Sequence, residues 1–295
     1  MATYYSLDNA ISAFFETNTS ATREQCDEFT LSRAGGQVDP VQIQGTFSYT
    51  VTAGTNKSKI FQFRIQDFSI DMEIMKLAKT VHPQLVAGCK YHGTIGGSRP
   101  IHIYEMDNLP GTAYIMARNI SVPQPADAVS RHRSTVKDLA SHGDLCEMNL
   151  LVNSNTGKIT GIVDWAEAAI LPFGFSLWGF ENVLGYMDSE GWHYYDNRRE
   201  LEHLFWQTFL EEARNASKVD LQFIRAARTI GLFCRYGFIV EGKVVQGMVD
   251  LADASSLAYL DAFCTIDDWA PGARAETFYI SSTVTLQTAP DVSDI

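Results

Sequence analysis

The chain has 295 residues, 45% of them hydrophobic, and a formal net charge of −12. That is enough apolar material for about two units of structure, while the acidic balance and the lack of a basic stripe exclude nucleic acid and anionic membrane surfaces as expected partners. No apolar run approaches the ~20 residues that cross a bilayer, and the opening MATYYSLDNAISAFFE carries no basic stretch ahead of its apolar positions. Cys26, Cys89, Cys146, Cys234 and Cys264 are odd in number and form no Cys-x-x-Cys pair. Reduced thiols in a cytoplasmic protein are therefore expected.

In chain order, LDNAISAFF (7–15) and ATREQCDEFTLSR (21–33) read as two short helices. VQIQGTFSYTVT (41–52) alternates and is rich in β-branched and aromatic residues, so it reads as strand. Within it, Gly45 to Ser48 is either a turn over a phosphate group or an ordinary hairpin turn. KIFQFRIQ (59–66) is the next strand and carries Arg64. SIDMEIMKLAKTV (69–81) predicts a helix with Ser69 as N-cap, an apolar stripe of Ile70, Ile74, Leu77 and Ala78, and Glu73 available to pair with Arg64. Strands are expected over 85–95 and 101–106, and one helix over 126–140 (ADAVSRHRSTVKDLA).

The most informative stretch is SHGDLCEMNLLVNSNTGKITGIVDWAEA, residues 141–168. Leu150 to Val152 and Ile159 to Val163 form two short apolar strands, and the intervening Asn-, Thr- and Gly-containing run makes a turn. The hairpin brings Asp144, Asn149 and Asp164 to one side. A lone Asp with an Asn five residues on is common, and Asp164 alone reads equally as a strand-end turn former. The ordered combination is not common. Phosphoryl transfer asks for a carboxylate to orient an attacking hydroxyl and for hard oxygen ligands to magnesium, and this trio supplies both. His142 reads as loop scaffolding rather than as a base. Beyond it, helices are predicted over 196–214, 220–238 and 247–264, and the tail from 283 onward reads as frayed.

HGDLCEMNLLV followed by GIVDWAEA resembles the aminoglycoside phosphotransferase and choline kinase-like family, whose fold is protein-kinase-like. The resemblance implies an α+β fold with a small antiparallel-sheet N-terminal lobe and a larger, mainly helical C-terminal lobe. It divides the chain at 1–106, 107–282 and a tail at 283–295. It implies transfer of the γ-phosphoryl group of ATP to a hydroxyl of a small molecule, with Mg2+. Asp144 then stands as the catalytic residue, and Asn149 and Asp164 as metal ligands. Arg64, held by Glu73, occupies the place of the family's phosphate-steadying Lys. Glu105 and Met106, where two kinase lobes hinge, would meet the adenine through their backbone. Ser176 replaces an acid that in the family braces the catalytic loop. The interval from Pro110 to His142 is shorter than the two long helices the family places there. The alternative is therefore a truncated, catalytically impaired kinase-like protein that acts by binding. An aminoglycoside, a choline-like amine, a sugar and a secondary metabolite all remain open as acceptor.

Overall fold

The computed structural model describes residues 5–117, 142–212, 218–241, 244–250 and 253–264. The helix expected over 126–140, the tail from 283 and most of the short interval before His142 lie outside these residues. Among the described residues no helix is long and apolar enough to cross a membrane.

The N-terminal half is built on five antiparallel strands: β1 (Asp39–Pro40), β2 (Ser48–Ala53), β3 (Lys59–Ile65), β4 (Cys89–Ile95) and β5 (Ile101–Asp107). Their order in the sheet is β1-β2-β3-β5-β4, so β5 runs between β3 and β4. Alternation along each strand gives the sheet two different faces. Tyr49, Val51, Phe61, Phe63, Ile101 and Ile103 bury one face against Ile11 and Phe14 of α1 (Leu7–Asn18) and Cys26 of α2 (Arg23–Ala34). Thr22 and Gln25 close a capping box at the start of α2. Tyr104 and Met106 join a second cluster on the other face, and Arg64, one position after Phe63, shares that side.

Helix α3 (Met72–Val81) departs from expectation. It starts at Met72 because Asp71, not Ser69, is the N-cap, its carboxylate accepting from the Glu73 and Ile74 amides. Its buried residues are Met75 and Ala78, and Leu77 is exposed.

The C-terminal half begins with a three-stranded sheet of β6 (Thr112–Ala113), β7 (Leu150–Val152) and β8 (Ile159–Ile162), in that order. The short helices α4 (Tyr114–Ala117) and α5 (Trp178–Glu181) flank it in sequence, and α6 (Arg198–Glu212), α7 (Lys218–Tyr236) and α8 (Ala254–Cys264) follow. Two hairpins replace expected loop and helix. β9 (Gly185–Asp188) pairs with β10 (Gly191–Tyr194), its turn fixed by the Glu190 amide donating to the Asp188 carboxylate. β11 (Phe238–Glu241) pairs with β12 (Val244–Met248) over part of the helix expected from 247, because FIVE and VVQGM are rich in β-branched residues.

One apolar cluster joins the two halves: Ile70, Met75, Val86 and Tyr104 pack with Leu145, Leu150, Ile162, Trp165, Phe180, Phe205 and Trp206. The fold is thus α+β, with a helix-backed antiparallel sheet set against a hairpin and a helical layer.

Candidate active site

The loop that carries Asp144 is fixed by its neighbours in sequence. His142 is buried, and its Nδ1 faces the Asp144 backbone N–H at 3.3 Å. An amide N–H only donates, so Nδ1 accepts and Nε2 carries the proton it donates to the Val163 carbonyl at 2.9 Å. Burial pushes the imidazole pKa below its ordinary value. The scaffold role expected for His142 follows from these two bonds. Gly143 adopts φ +79°, and a Cβ there would collide with the Glu167 carbonyl. Only glycine lets these two segments approach so closely.

From there the chain turns back on itself. Asn149 is buried, and its Nδ2 donates to the Asp144 carbonyl at 2.7 Å and to Asp144 Oδ2 at 3.0 Å. Leu150 pairs with Ile162, and the Val163 amide donates to the Asn149 carbonyl at 2.9 Å. The hairpin therefore returns the chain to Asn149 one residue before Asp164. Asp164 is in the left-handed region at φ +62°, a conformation that costs a non-glycine residue least when it is Asp or Asn. It precedes the 3-10 turn Trp165–Glu167 without capping it through its side chain. Its carboxylate is thus free of the strand-end role and pairs instead with Arg64 Nη1 at 2.9 Å.

Arg64 is 5% exposed in its side chain, and its Nε also donates to the Phe68 carbonyl at 2.7 Å. This corrects the expected Arg64–Glu73 pair. Glu73 lies in the first turn of α3 and is exposed, while strand alternation sends Arg64 across to the hairpin. The turn at Gly45 to Ser48 adjoins this region: the Ile65 amide donates to the Phe47 carbonyl, and the Phe47 ring stacks on Phe68 at 3.8 Å.

Glu105 and Met106 are also placed differently from expectation. Glu105 faces Phe61 on one side and Lys90 on the other, and Met106 faces Ile60 and Cys89. Their backbone groups serve the two ladders of a central strand and are not free for a ligand. The Glu105 carboxylate meets His92 Nε2 at 2.7 Å and Lys59 Nζ at 3.7 Å. The Asp107 amide donates to the Gly88 carbonyl and the Asn108 amide to the Ser58 carbonyl. Backbone past these bonds begins at Leu109 and runs to Gly111, which has φ +128° and lies against Val152 and Thr160.

One residue escaped sequence reasoning. Arg235, near the end of α7, donates from Nη2 to Asp144 Oδ1 at 2.7 Å. Its Nη1 is 3.9 Å from Glu167 Oε2, and its guanidinium lies over the Trp178 ring at 4.7 Å. The Glu167 carboxyl is raised above the usual range, first by burial and then by the charge of Asp144. No local pattern in the sequence marks an Arg this far from its partner. Ser176, found where an acid was expected, is buried; its carbonyl accepts from Gly179, which lies against Leu145, next to Asp144. Charge enters this layer through Glu181, which pairs with Arg228 and accepts from the Tyr194 hydroxyl at 3.3 Å.

Among the described residues no group of three or more His, Cys, Asp and Glu side chains could hold a metal ion. Magnesium bound with a nucleotide needs less, since phosphate and water fill most of its shell. Asn149 commits its Nδ2 to Asp144 and retains Oδ1; Asp164 commits Oδ1 to Arg64 and retains Oδ2. These two retained oxygens fit such a cation.

Residues 122–191 match the model of the phosphotransferase enzyme family, and this span contains Asp144, Asn149 and Asp164. No curated protein matches the chain. Solved structures similar to it include an aminoglycoside-3'-phosphotransferase of type VIII, 14% identical with a TM-score of 0.38, covering 70% of this chain and 98% of that one. Another is the GDP and kanamycin complex of APH(2")-IIia, 11% identical with a TM-score of 0.31 and the same coverage of 70% and 98%. Over residues 122–191, then, the chain is similar to the phosphotransferase enzyme family.

Proposed function

We propose that the protein is a cytoplasmic, ATP-dependent kinase that transfers the γ-phosphoryl group to a hydroxyl of a small molecule. One observation carries this reading: Asn149 is bonded twice to Asp144 and sits, through the β7–β8 hairpin, beside the position that precedes Asp164. A hydroxyl-orienting carboxylate and two oxygen donors for a hard cation are thereby held by one short piece of chain.

In this reading Asp144 accepts a hydrogen bond, and then the proton, from the acceptor hydroxyl. Asn149 Oδ1 and Asp164 Oδ2 would hold magnesium, which supplies charge neutralisation on the nucleotide phosphates when bound. Arg64 keeps Asp164 in place and brings a fixed positive charge to the phosphate side. The backbone from Leu109 to Gly111 offers the adenine its contacts, in place of Glu105 and Met106.

A second reading has its own support. Arg235 occupies one oxygen of Asp144 and Arg64 one oxygen of Asp164. A protein that binds nucleotide without turning it over is compatible with both pairs. Purified protein with ATP and magnesium separates the two. A kinase releases phosphate or phosphorylates an added acceptor, and loses this in Asp144→Asn and in Asp164→Ala while still melting cooperatively. Ligand at 100 times its dissociation constant raises stability by about 2.7 kcal/mol in either case. A melt that ATP and magnesium leave unmoved would sink both readings.

A further inference from the structure

Arg235 has more contacts than a helix-end cation needs. A basic side chain in the last turn of α7 gains from the helix dipole wherever it points. This one crosses 91 positions of sequence to donate to Asp144 Oδ1 at 2.7 Å. The other oxygen of the same carboxylate, Oδ2, is met by Asn149 Nδ2 at 3.0 Å. Two donors from different parts of the fold thus hold one carboxylate, one on each oxygen.

The guanidinium is itself held. It lies over the ring of Trp178 at 4.7 Å, and that ring is buried. Its second arm is directed at Glu167 Oε2, 3.9 Å away, on the segment that also closes over Gly143. A long side chain free to wander contributes little through an exposed pair. A planar cation laid on a buried ring loses less freedom on pairing and holds a direction.

We infer that Arg235 is a positioning residue for phosphoryl transfer: together with Asn149 it fixes the plane of the Asp144 carboxylate, so that a remaining lone pair meets the acceptor hydroxyl in one orientation. The inference rests on the phosphotransferase reading above. It concerns geometry and not nucleotide binding, because Arg235 approaches the base from α7 while Arg64 approaches Asp164 from the sheet.

The test uses the full chain with ATP and magnesium, and reads kcat and KM for ATP in wild type, Arg235→Gln and Arg235→Lys. In Arg235→Gln, kcat falls about 10- to 100-fold, the range expected for a misplaced catalytic group, with KM for ATP within about two-fold. Arg235→Lys recovers part of kcat, because it keeps the charge without the planar fork. Unchanged kcat in Arg235→Gln overturns the inference, and so does an equal loss in kcat and KM in both variants. Should Arg235→Gln fail to melt cooperatively, Arg235→Lys decides: reduced kcat at constant KM supports the role, and wild-type kcat overturns it. Failure of the phosphotransferase reading looks different, since wild type itself then shows no turnover and neither role survives. Turnover in wild type with an indifferent Arg235 removes only the positioning role.

Discussion

Arg64 of β3 and Asp164, just past β8, form an ion pair of 2.9 Å that joins the sheet to the end of the β7–β8 hairpin. The pair is asymmetric. The Arg64 side chain is 5% exposed and Asp164 40%, so the cation bears most of the desolvation. Replacing Arg64 with Ala removes this pair and the bond from Nε to the Phe68 carbonyl. The expected cost is about 1–3 kcal/mol, the range for hydrogen bonds to charged groups with one partner in water. Urea melts measure it. Arg64→Lys should retain part of the stability, since one ammonium cannot serve both Phe68 and Asp164 in the same geometry. An Ala variant as stable as wild type would mean that the pair is not maintained in solution.

His142 makes stability depend on pH. Its burial lowers the folded pKa, whereas the unfolded imidazole titrates near its ordinary value of about 6.5. Below that value the unfolded chain takes up a proton that the folded chain refuses. The contribution is therefore intact above about pH 6.5 and declines as pH falls through the unfolded pKa. Thermal melts between pH 7.5 and pH 5 should show falling stability, with a shallower slope in His142→Gln. Equal slopes in the two proteins would place the titration elsewhere, for instance on His102, whose pKa burial also lowers.

What the sequence made legible was local. Asp144, Asn149 and Asp164 lie within one hairpin, and short apolar strands around a turn fix their meeting with little help from the rest of the chain. Helices α1 and α2 were read as short helices from sparse apolar positions, and the caps at Ser6 and Thr22 emerged only in the structure. The losses fall on two kinds of residue. The N-cap of α3 fell on Asp71, two positions after Ser69, and its buried face runs through Met75 and Ala78 while Leu77 is exposed and Glu73 lies at the solvent side of the first turn. Arg235, 91 positions on from Asp144, and the central placement of β5 are products of tertiary packing. Strands β9 to β12 were missed because runs of four or five residues carry no reliable period.

Cys146 sits within the loop between Asp144 and Asn149, yet burial, ahead of the charge of Asp144, pushes its thiol up to about 11. Thiolate is the reactive form, so this cysteine is protected at neutral pH. Cys234 and Cys264 are exposed. Limited alkylation at pH 7.5 followed by peptide mass analysis should modify those two first and Cys146 slowly. Cys146→Ser should leave nucleotide-dependent turnover within a few-fold of wild type, as a small filler side chain would. Rapid labelling of Cys146 in the native protein, or loss of turnover on its replacement, would assign the thiol a chemical role.

The placement of β5 changes where an adenine ring can be read. Glu105 and Met106 spend their backbone groups on β3 and β4, and the Glu105 carboxylate on His92 and Lys59. Glu105→Gln should therefore lower the stability of the sheet slightly, by about 0.5–1 kcal/mol for a part-exposed ion pair, and leave the affinity for ATP unchanged. Gly111 is the contrasting site. Its φ of +128° is open to glycine, and a Cβ would strike Thr160 and the Val152 carbonyl. Gly111→Ala must push the Leu109–Gly111 segment off the β7–β8 hairpin or distort it, at a backbone cost of about 1–3 kcal/mol. If that segment carries the adenine contacts, the dissociation constant for ATP rises in Gly111→Ala and stays constant in Glu105→Gln. Titration of the two variants by thermal shift distinguishes them, and the reverse order of effects would return the adenine site to the end of β5.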